Sequence, residues 1–397
     1  MSTYENENSN DLFQTANIII AGITGAGKST LLNAVFGKDF AATGKGHPVT
    51  KEIREYRSPE VPVRIWDSIG FEIGNDDNGV SKTKASVTKI KKTIEEQSSK
   101  NEVDHIHAIW YCINQGGSRY QQTEADFVKE LHTIGVPFII IITQCIDEDE
   151  NFEKEVNKLN QENGITDIPV IEVLAQEKKI IGGVCIPAFG LDTLVDKTLE
   201  MLPSFIKGSF IAGQQIKVVL KREECEKIIT KYVELAEKGF WDKVPFFNLG
   251  TVDKKFKLMV KEIFSVYNQI LSEDAYDDII FDLSKGWSKE LFGWCVPLFT
   301  KKKKQAKLDK LINDILENGA DGLELSNDSF NDSKMAAKAI AFYGYTLLMA
   351  IEDVWEMIRE EKIKAIEEII IPQIKERIQY YLLGKRQNTP ERMNKKI

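Results

Sequence analysis

Short apolar runs alternate with polar, periodic segments along the first half of the chain. Six runs rich in β-branched residues predict strands at Asn17–Ala21, Ile53–Tyr56, Val63–Trp66, Ile106–Ile113, Phe138–Thr143 and Val170–Leu174. Apolar residues spaced three and four apart predict helices between them, at Ser29–Phe36, Lys82–Gln97, Thr123–Ile134, Asn151–Asn160 and Leu191–Met201. Because strands alternate with helices, we expect an α/β domain with a mostly parallel six-stranded sheet.

The β-rich pattern ends at Pro203. Amphipathic patterns then predict helices at Ser204–Lys238, Asp253–Leu271, Asp277–Leu283, Lys307–Leu316 and Ser333–Leu383. We therefore divide the chain into a polar N-terminal tail (1–15), an α/β domain (16–203), an all-α domain (204–383) and a basic tail (384–397). The 397 residues suit this division, since a typical domain has about 150.

Composition and charge argue against several classes of protein. Hydrophobic residues make up 42% and charged residues 28%, which is typical of a globular protein. The net charge of −9 argues against a protein that coats nucleic acid, and we expect no nucleic-acid partner. The five cysteines are far apart and form no CxxC pair, which favours reduced thiols and a cytoplasmic location over a disulfide scaffold or a zinc module.

The segment from Gly22 to Ser29, GITGAGKS, satisfies the pattern GxxxxGK[ST] and lies between a predicted strand and a predicted helix. Its glycines allow the backbone to wrap around phosphate oxygens, and the start of the helix adds its positive end. Lys28 would bridge the β- and γ-phosphates, and the Ser29 hydroxyl would bind Mg²⁺. This phosphate loop is the strongest functional signal in the sequence.

A second motif, Asp67-Ser-Ile-Gly70, ends the strand that contains Trp66. Asp67 would hold Mg²⁺ through water, and the Gly70 N–H would contact the γ-phosphate. Thr50 precedes the second predicted strand and is placed to close over Mg²⁺ as a switch threonine, with Thr43 as the alternative. Lys28, Thr50 and Gly70 are thus the candidate catalytic residues, and Ser29, Thr50 and Asp67 the candidate metal ligands.

The order of these motifs resembles GTPases related to translation factors, in particular the Era-like and TrmE-like branch. The helical part, with FWDKVPFFN from Phe240 and AAKAIAFYG up to Gly344, resembles a helical domain of unknown function that follows some of these GTPases. The resemblance implies binding of GTP and GDP with Mg²⁺. The implied nucleotide-binding residues are Gly22, Thr24, Gly25, Ala26, Gly27, Lys28, Ser29, Thr30, Thr143, Gln144, Asp147, Leu174 and Ala175.

The motif that reads guanine departs from the family pattern [N/T]KxD. Here the strand ends in Thr143-Gln-Cys-Ile-Asp147, so the aspartate lies four positions after the threonine and Gln144 replaces the lysine. Either the loop bulges by one residue and Asp147 still reads guanine, or base selectivity is relaxed. In a third interpretation Thr143 only caps the strand and Asp147 is solvated. Leu174-Ala175 resembles the last base-contacting motif.

Phe71 follows the DxxG motif where other GTPases have a glutamine that orients the attacking water. The resemblance implies that a potassium ion, a protein partner or a homodimer completes such sites, so we expect slow intrinsic hydrolysis. Lys45 and Arg119 could supply charge, or be solvated surface residues.

Two functions fit these observations. The first is a regulatory GTPase whose nucleotide-driven switch acts through the helical domain. The alternative is a dynamin-like or immunity-type GTPase that assembles on lipid as a peripheral membrane protein. The stretch Gly286–Lys304, aromatic and then rich in lysine, would touch the membrane in that case, or form a solvated turn.

Overall fold

The computed structural model describes residues 14–37, 40–43, 47–48, 53–58, 61–68, 82–116, 120–146, 150–180, 183–238, 254–285, 332–361 and 367–383. The chain forms two compact units, Met1–Leu220 and Lys221–Ile397. We call them the sheet unit and the helical unit and describe each by itself. The boundary expected after Pro203 lies inside the sheet unit.

The sheet unit is built on a seven-stranded sheet with the order β2-β3-β4-β1-β5-β6-β7. Its strands are β1 (Ala16–Ala21), β2 (His47–Pro48), β3 (Ile53–Ser58), β4 (Val61–Ser68), β5 (Ala108–Asn114), β6 (Phe138–Thr143) and β7 (Val170–Val173). β3 pairs antiparallel with β2 and β4, and the other pairs are parallel. The predicted six-stranded, mostly parallel α/β fold is therefore confirmed, and the two-residue strand β2 is added at one edge.

Helices cover both faces of this sheet: α1 (Lys28–Phe36), α2 (Phe40–Thr43), α3 (Lys82–Ser98), α4 (Gln122–His132), α5 (Glu150–Glu162), α6 (Leu191–Met201) and α7 (Ser204–Gly213). Alternate residues of β1 enter different cores: Ile18 packs with α1, α6 and α7, and Ile19 with α3, α4 and α5. All six residues of β1 are buried. This explains why the central strands read as continuous apolar runs.

The segment Ser204–Lys238, predicted as one helical stretch, forms two helices, α7 and α8 (Val218–Glu237). Gln214 is fully buried between them, and its side-chain oxygen accepts hydrogen bonds from the N–H groups of Ile216 at 2.7 Å and Lys217 at 2.8 Å. These N–H groups therefore leave the helical pattern, and the helix ends. Helix α7 packs against β4 and β1, within the sheet unit.

The helical unit contains most of α8, together with α9 (Lys254–Val266), α10 (Glu273–Lys285), α11 (Asp332–Glu361) and α12 (Glu367–Leu383). α12 packs against α10 and α11, and α9 packs against the same two helices. The predicted helix Lys307–Leu316 lies outside the described residues. In the described part of the chain, no helix has the length and apolar composition that a membrane span requires.

Candidate nucleotide-binding site

The phosphate loop follows β1 and leads into α1. Three of its glycines have positive φ: 144° at Gly22, 83° at Gly25 and 77° at Gly27. A Cβ atom at Gly22 would lie 2.4 Å from the main-chain oxygen of Cys112, so no larger residue fits there without a shift of the backbone. The sequence thus forms a tight loop in which the main chain comes close to the space in front of α1.

Helix α1 begins at Lys28 with Gly27 as its N-cap, and no side chain caps it. The first N–H groups of a helix have no partner within the helix, so they are available to an anion. Thr24, Ser29 and Thr30 are exposed around this helix end, whereas Ala26 is buried beneath it. The loop therefore has the form of an anion site, as the sequence motif predicts.

The Lys28 side chain crosses the loop. Its Nζ atom donates to the main-chain oxygens of Gly22 at 2.8 Å and Ile23 at 3.2 Å. The ammonium group is therefore held at the mouth of the loop by neutral acceptors, which a phosphate can replace.

Asp67 lies next to the loop because β4 is the parallel neighbour of β1 and Asp67 is in register with Ile20. Only 8% of Asp67 is exposed, and its buried Oδ1 atom has no hydrogen-bond partner among the described residues. Burial raises the pKa of this carboxyl, and the positive charges of Lys28 and Arg54 oppose the rise. A buried carboxylate oxygen without a partner is rare, and a bound cation would satisfy it.

Thr143 and Gln144 connect the end of β6 to the phosphate loop. The Thr143 hydroxyl lies 2.8 Å from the main-chain oxygen of Ala26 and donates toward it, and the amide of Gln144 donates to Gly25 O at 3.1 Å. Gln144 has φ of 57°, which turns the chain out of the strand. The two residues brace the loop from the side on which the base is expected.

Sequence reasoning missed two residues at the end of β5. The side-chain amide of Asn114 donates to Gly25 O at 3.4 Å, and Gln115 Oε1 accepts the N–H of Ile146 at 3.0 Å. A polar pair that ends a central strand was the available signal, but only the register of Asn114 with Thr143 brings it to the loop.

The other predicted positions are as follows. Leu174 is buried and Ala175 half-buried directly after β7, at the same edge of the sheet as Thr143. Thr43 ends α2. Outside the described residues lie Lys45, Thr50, Gly70, Phe71, Arg119, Asp147 and Gly286–Lys304.

Residues 17–176 match the model of a family described as the 50S ribosome-binding GTPase. The match runs from β1 to the residues after β7 and does not include the helical unit. Together with the strand order and the loop geometry, it defines the sheet unit as a P-loop GTPase domain. No curated protein matches the chain at a significant level.

Several solved structures of GTP-binding proteins are similar to part of the chain. An Era structure with MgGDPNP and a segment of 16S ribosomal RNA is 18% identical, with a TM-score of 0.32, over 48% of this chain and 58% of that one. A probable GTP-binding protein EngB is 20% identical over 47% of this chain and 98% of its own, with a TM-score of 0.31. Era from Aquifex aeolicus bound to GDP and AlF4⁻ is 17% identical over 56% and 68%, with a TM-score of 0.33.

Proposed function

We propose that the chain binds Mg²⁺·GTP and Mg²⁺·GDP, hydrolyses GTP, and works as a nucleotide-driven switch of the Era-like and TrmE-like kind that acts through its helical unit. The observation that carries the proposal is the position of Lys28. Its ammonium group lies across a loop of positive-φ glycines at 2.8 Å from Gly22 O, at the uncapped start of α1. In such a loop a phosphate gains both a charge partner and several N–H donors.

Mg²⁺ fits the donors of this site. Ser29 offers a hydroxyl, and Asp67 offers a buried carboxylate oxygen to which no described residue bonds; oxygen ligands of this kind suit a hard cation. Ser29, Asp67 and Thr50 would hold the ion. When bound, Mg²⁺ would neutralise charge on the phosphates. Lys28 would orient the β- and γ-phosphates, and the Gly70 N–H would contact the γ-phosphate.

We further propose that Asp147 reads the guanine edge and that Leu174 and Ala175 line the other side of the base. Two contacts support a built base site: Thr143 and Gln144 both bond to the phosphate loop, at 2.8 Å and 3.1 Å. Gln144 thus holds the loop although it replaces the usual lysine. Ile146, at the position where the family pattern has its aspartate, is fixed through its N–H by Gln115.

Substitution of Asp147 tests the base assignment. Asp147→Asn should weaken GTP and permit xanthosine triphosphate, because the mutant amide donates to the added carbonyl. Asp126→Asn, an exposed aspartate on α4, is the matched control and should change neither affinity. Undiminished GTP affinity in Asp147→Asn would mean that another group reads the base.

Hydrolysis should depend on assembly or on a partner, because Phe71 cannot orient water and a supplied charge is worth about 10³–10⁵ in rate. Turnover per molecule should therefore rise with protein concentration if a homodimer completes the site, and rise in potassium buffer if K⁺ does. Thr50→Ala should reduce hydrolysis more than binding. A fast rate that ignores protein concentration and cation would show that this chain positions the water itself.

Titration calorimetry tests the proposal directly. With Mg²⁺ present, GTP and GDP should each bind at one site per chain, and ATP should bind at least tenfold more weakly. Equal affinity for ATP would leave a nucleotide site without guanine selectivity. No heat with any nucleotide would overturn the proposal.

A further inference from the structure

Between β7 and α6 the chain leaves the sheet and folds into an antiparallel ribbon, β8 (Lys178–Lys179) with β9 (Cys185–Ile186). We call the described residues 178–180 and 183–186 the β8–β9 hairpin. Its turn is closed by two main-chain hydrogen bonds, from Ile180 N to Val184 O at 2.9 Å and from Gly183 N to Ile180 O at 3.1 Å. Leu174 and Phe189 bridge its base. The hairpin thus follows directly on Leu174 and Ala175, which are assigned to the nucleotide site, but its own residues have no role assigned in that site.

Apolar side chains are concentrated on the outside of this element. Val184 is 57% exposed, Phe189 41% and Ile180 37%. Among the described residues, eight large apolar side chains are exposed, and three of them lie between positions 180 and 189. Single exposed apolar residues need no explanation, but Ile180 and Val184 on the hairpin with Phe189 just after it put three within ten residues, enough for a surface that binds something apolar.

The same segment contains two exposed lysines and one glutamate. Between Ala175 and Phe189 the charged residues are Glu177, Lys178 and Lys179. Both lysines are exposed, and neither forms an ion pair with any residue that the structure describes. Glu177 instead lies beside Cys185, where its contact raises the pKa of the thiol.

A second pair of adjacent lysines, Lys91 and Lys92, differs from the hairpin pair because carboxylates lie close to both side chains. On α3, Lys91 lies 3.7 Å from Glu130, and Lys92 lies 3.7 Å from Glu96. Those positive charges are matched by carboxylates, as is usual on the surface of an acidic chain. The two lysines of the hairpin have no such carboxylate partner among the described residues, so both charges are available to an anionic surface.

We propose that the β8–β9 hairpin docks on an anionic lipid surface. Ile180, Val184 and Phe189 would enter the boundary between headgroups and acyl chains, and Lys178 and Lys179 would meet the anionic headgroups. A second copy of the chain suits the hairpin less well. A symmetric contact would place the same patch opposite itself and bring the four lysines together.

The experiment uses the full chain without nucleotide, so its outcome does not depend on the proposed GTPase activity. The protein is sedimented with vesicles of phosphatidylcholine alone and with vesicles of equal parts phosphatidylcholine and phosphatidylglycerol. Because each lysine near an anionic surface contributes roughly fivefold to the partition coefficient, we expect at least fivefold stronger binding to the anionic vesicles.

Two matched pairs of variants locate the contact. Val184→Glu should reduce binding at least fivefold, whereas Val219→Glu, at a valine that is 54% exposed on α8, should leave it unchanged. Lys178→Gln with Lys179→Gln should reduce it as strongly, whereas Lys91→Gln with Lys92→Gln should not.

Three outcomes would overturn the proposal. Sedimentation could be equal with both kinds of vesicle, or absent. The hairpin variants could bind as well as the wild type, which would locate the lipid contact elsewhere in the chain. Val184→Glu could alter the molecular mass measured by light scattering in the absence of lipid, which would assign the hairpin to self-association.

Discussion

Each unit of the molecule contains a lysine that donates to main-chain carbonyl oxygens, and the two lysines differ in almost every other respect. In the sheet unit, Lys28 bonds to Gly22 O and Ile23 O and stays partly exposed. In the helical unit, Lys221 bonds to Val266 O at 2.7 Å and is fully buried, with the rings of Tyr267 and Trp355 about 6 Å from its Nζ atom. A lysine near carbonyl groups therefore does not by itself mark a site.

The difference lies in what surrounds each ammonium group. Lys28 stands among glycines and free helix N–H groups, so a ligand can take over its bonds. Lys221 is enclosed by aromatic rings and helices, and its bond ends α9. Burial lowers the pKa of Lys221 to about 7, a perturbation of the kind that often marks catalytic groups. Here it accompanies a packing role, because no described loop gives a ligand access to it.

The largest expected effect is a loss of nucleotide affinity on substitution of Lys28, which substitution of Lys221 should not cause. Lys28→Ala should lower the affinity for Mg²⁺·GDP by roughly 100-fold or more, since removal of one partner from a charged contact costs about 3 kcal/mol. Its unfolding midpoint should stay close to that of the wild type, because its bonds to the loop are partly exposed. Calorimetry and thermal denaturation measure the two quantities.

Lys221→Met is the control for this comparison. It should keep the affinity for nucleotide and change the stability of the helical unit. If Lys28→Ala bound GDP normally, or if Lys221→Met lost binding as well, the division between a site lysine and a packing lysine would be wrong.

The second-largest expected effect is a change in the stability of the helical unit with pH. The folded-state pKa of Lys221 is about 7, below its usual 10.5, so between these values the unfolded chain binds more protons than the folded chain. Stability should therefore rise with pH across this window. From pH 7 to 8.5 the gain should be about 1.6 kcal/mol, because the slope is half of 1.36 kcal/mol per pH unit at the folded pKa and approaches the full value above it.

Other titratable groups near Lys221 change the stability mainly outside the interval from pH 7 to 8.5. Burial raises the pKa of Glu352 to about 7, so its effect falls at and below neutrality, and burial raises the pKa values of Cys225 and Tyr267 above their ordinary values. Hydrogen exchange of peptides from α8 and α9, compared between wild type and Lys221→Met at each pH, isolates the lysine. A difference that stays constant from pH 7 to 8.5 would show that Lys221 remains charged when folded.

Much of the fold could be predicted because buried strands appear in the sequence as apolar runs, and helices appear as apolar residues spaced three and four apart. β6 and α6 have the predicted bounds, Phe138–Thr143 and Leu191–Met201. The β8–β9 hairpin could not be predicted, since strands of two residues have no periodicity and its apolar residues are exposed. The break at Gln214 also escaped prediction, because it depends on one side chain bonding to two N–H groups.

The candidate site likewise has one part that local motifs predict and another part that depends on strand pairing. The phosphate loop and Asp67 follow from local motifs, and the structure brings them together through the pairing of β1 with β4. The roles of Asn114 and Gln115 depend on which residues meet across β5 and β6. No local pattern encodes that register, so the sequence predicts the phosphate loop but not the residues of β5 that bond to it.

The smallest expected effect tests that support with one glutamine from each unit. Gln144 donates to Gly25 O at 3.1 Å in the sheet unit, and Gln269 donates to Tyr267 O at 3.4 Å in the helical unit. Gln144→Asn keeps an amide and tolerates the φ of 57°, but its shorter side chain no longer reaches the loop. One neutral hydrogen bond is worth about 1 kcal/mol, so affinity for GDP should fall about fivefold. Gln144→Lys restores the residue of the family pattern and should bind at least as tightly as the wild type, whereas Gln269→Asn should leave affinity unchanged. Calorimetry resolves a fivefold change. Equal affinity in all four proteins would show that the phosphate loop holds its shape without Gln144, and that Thr143 and Asn114 suffice to brace it.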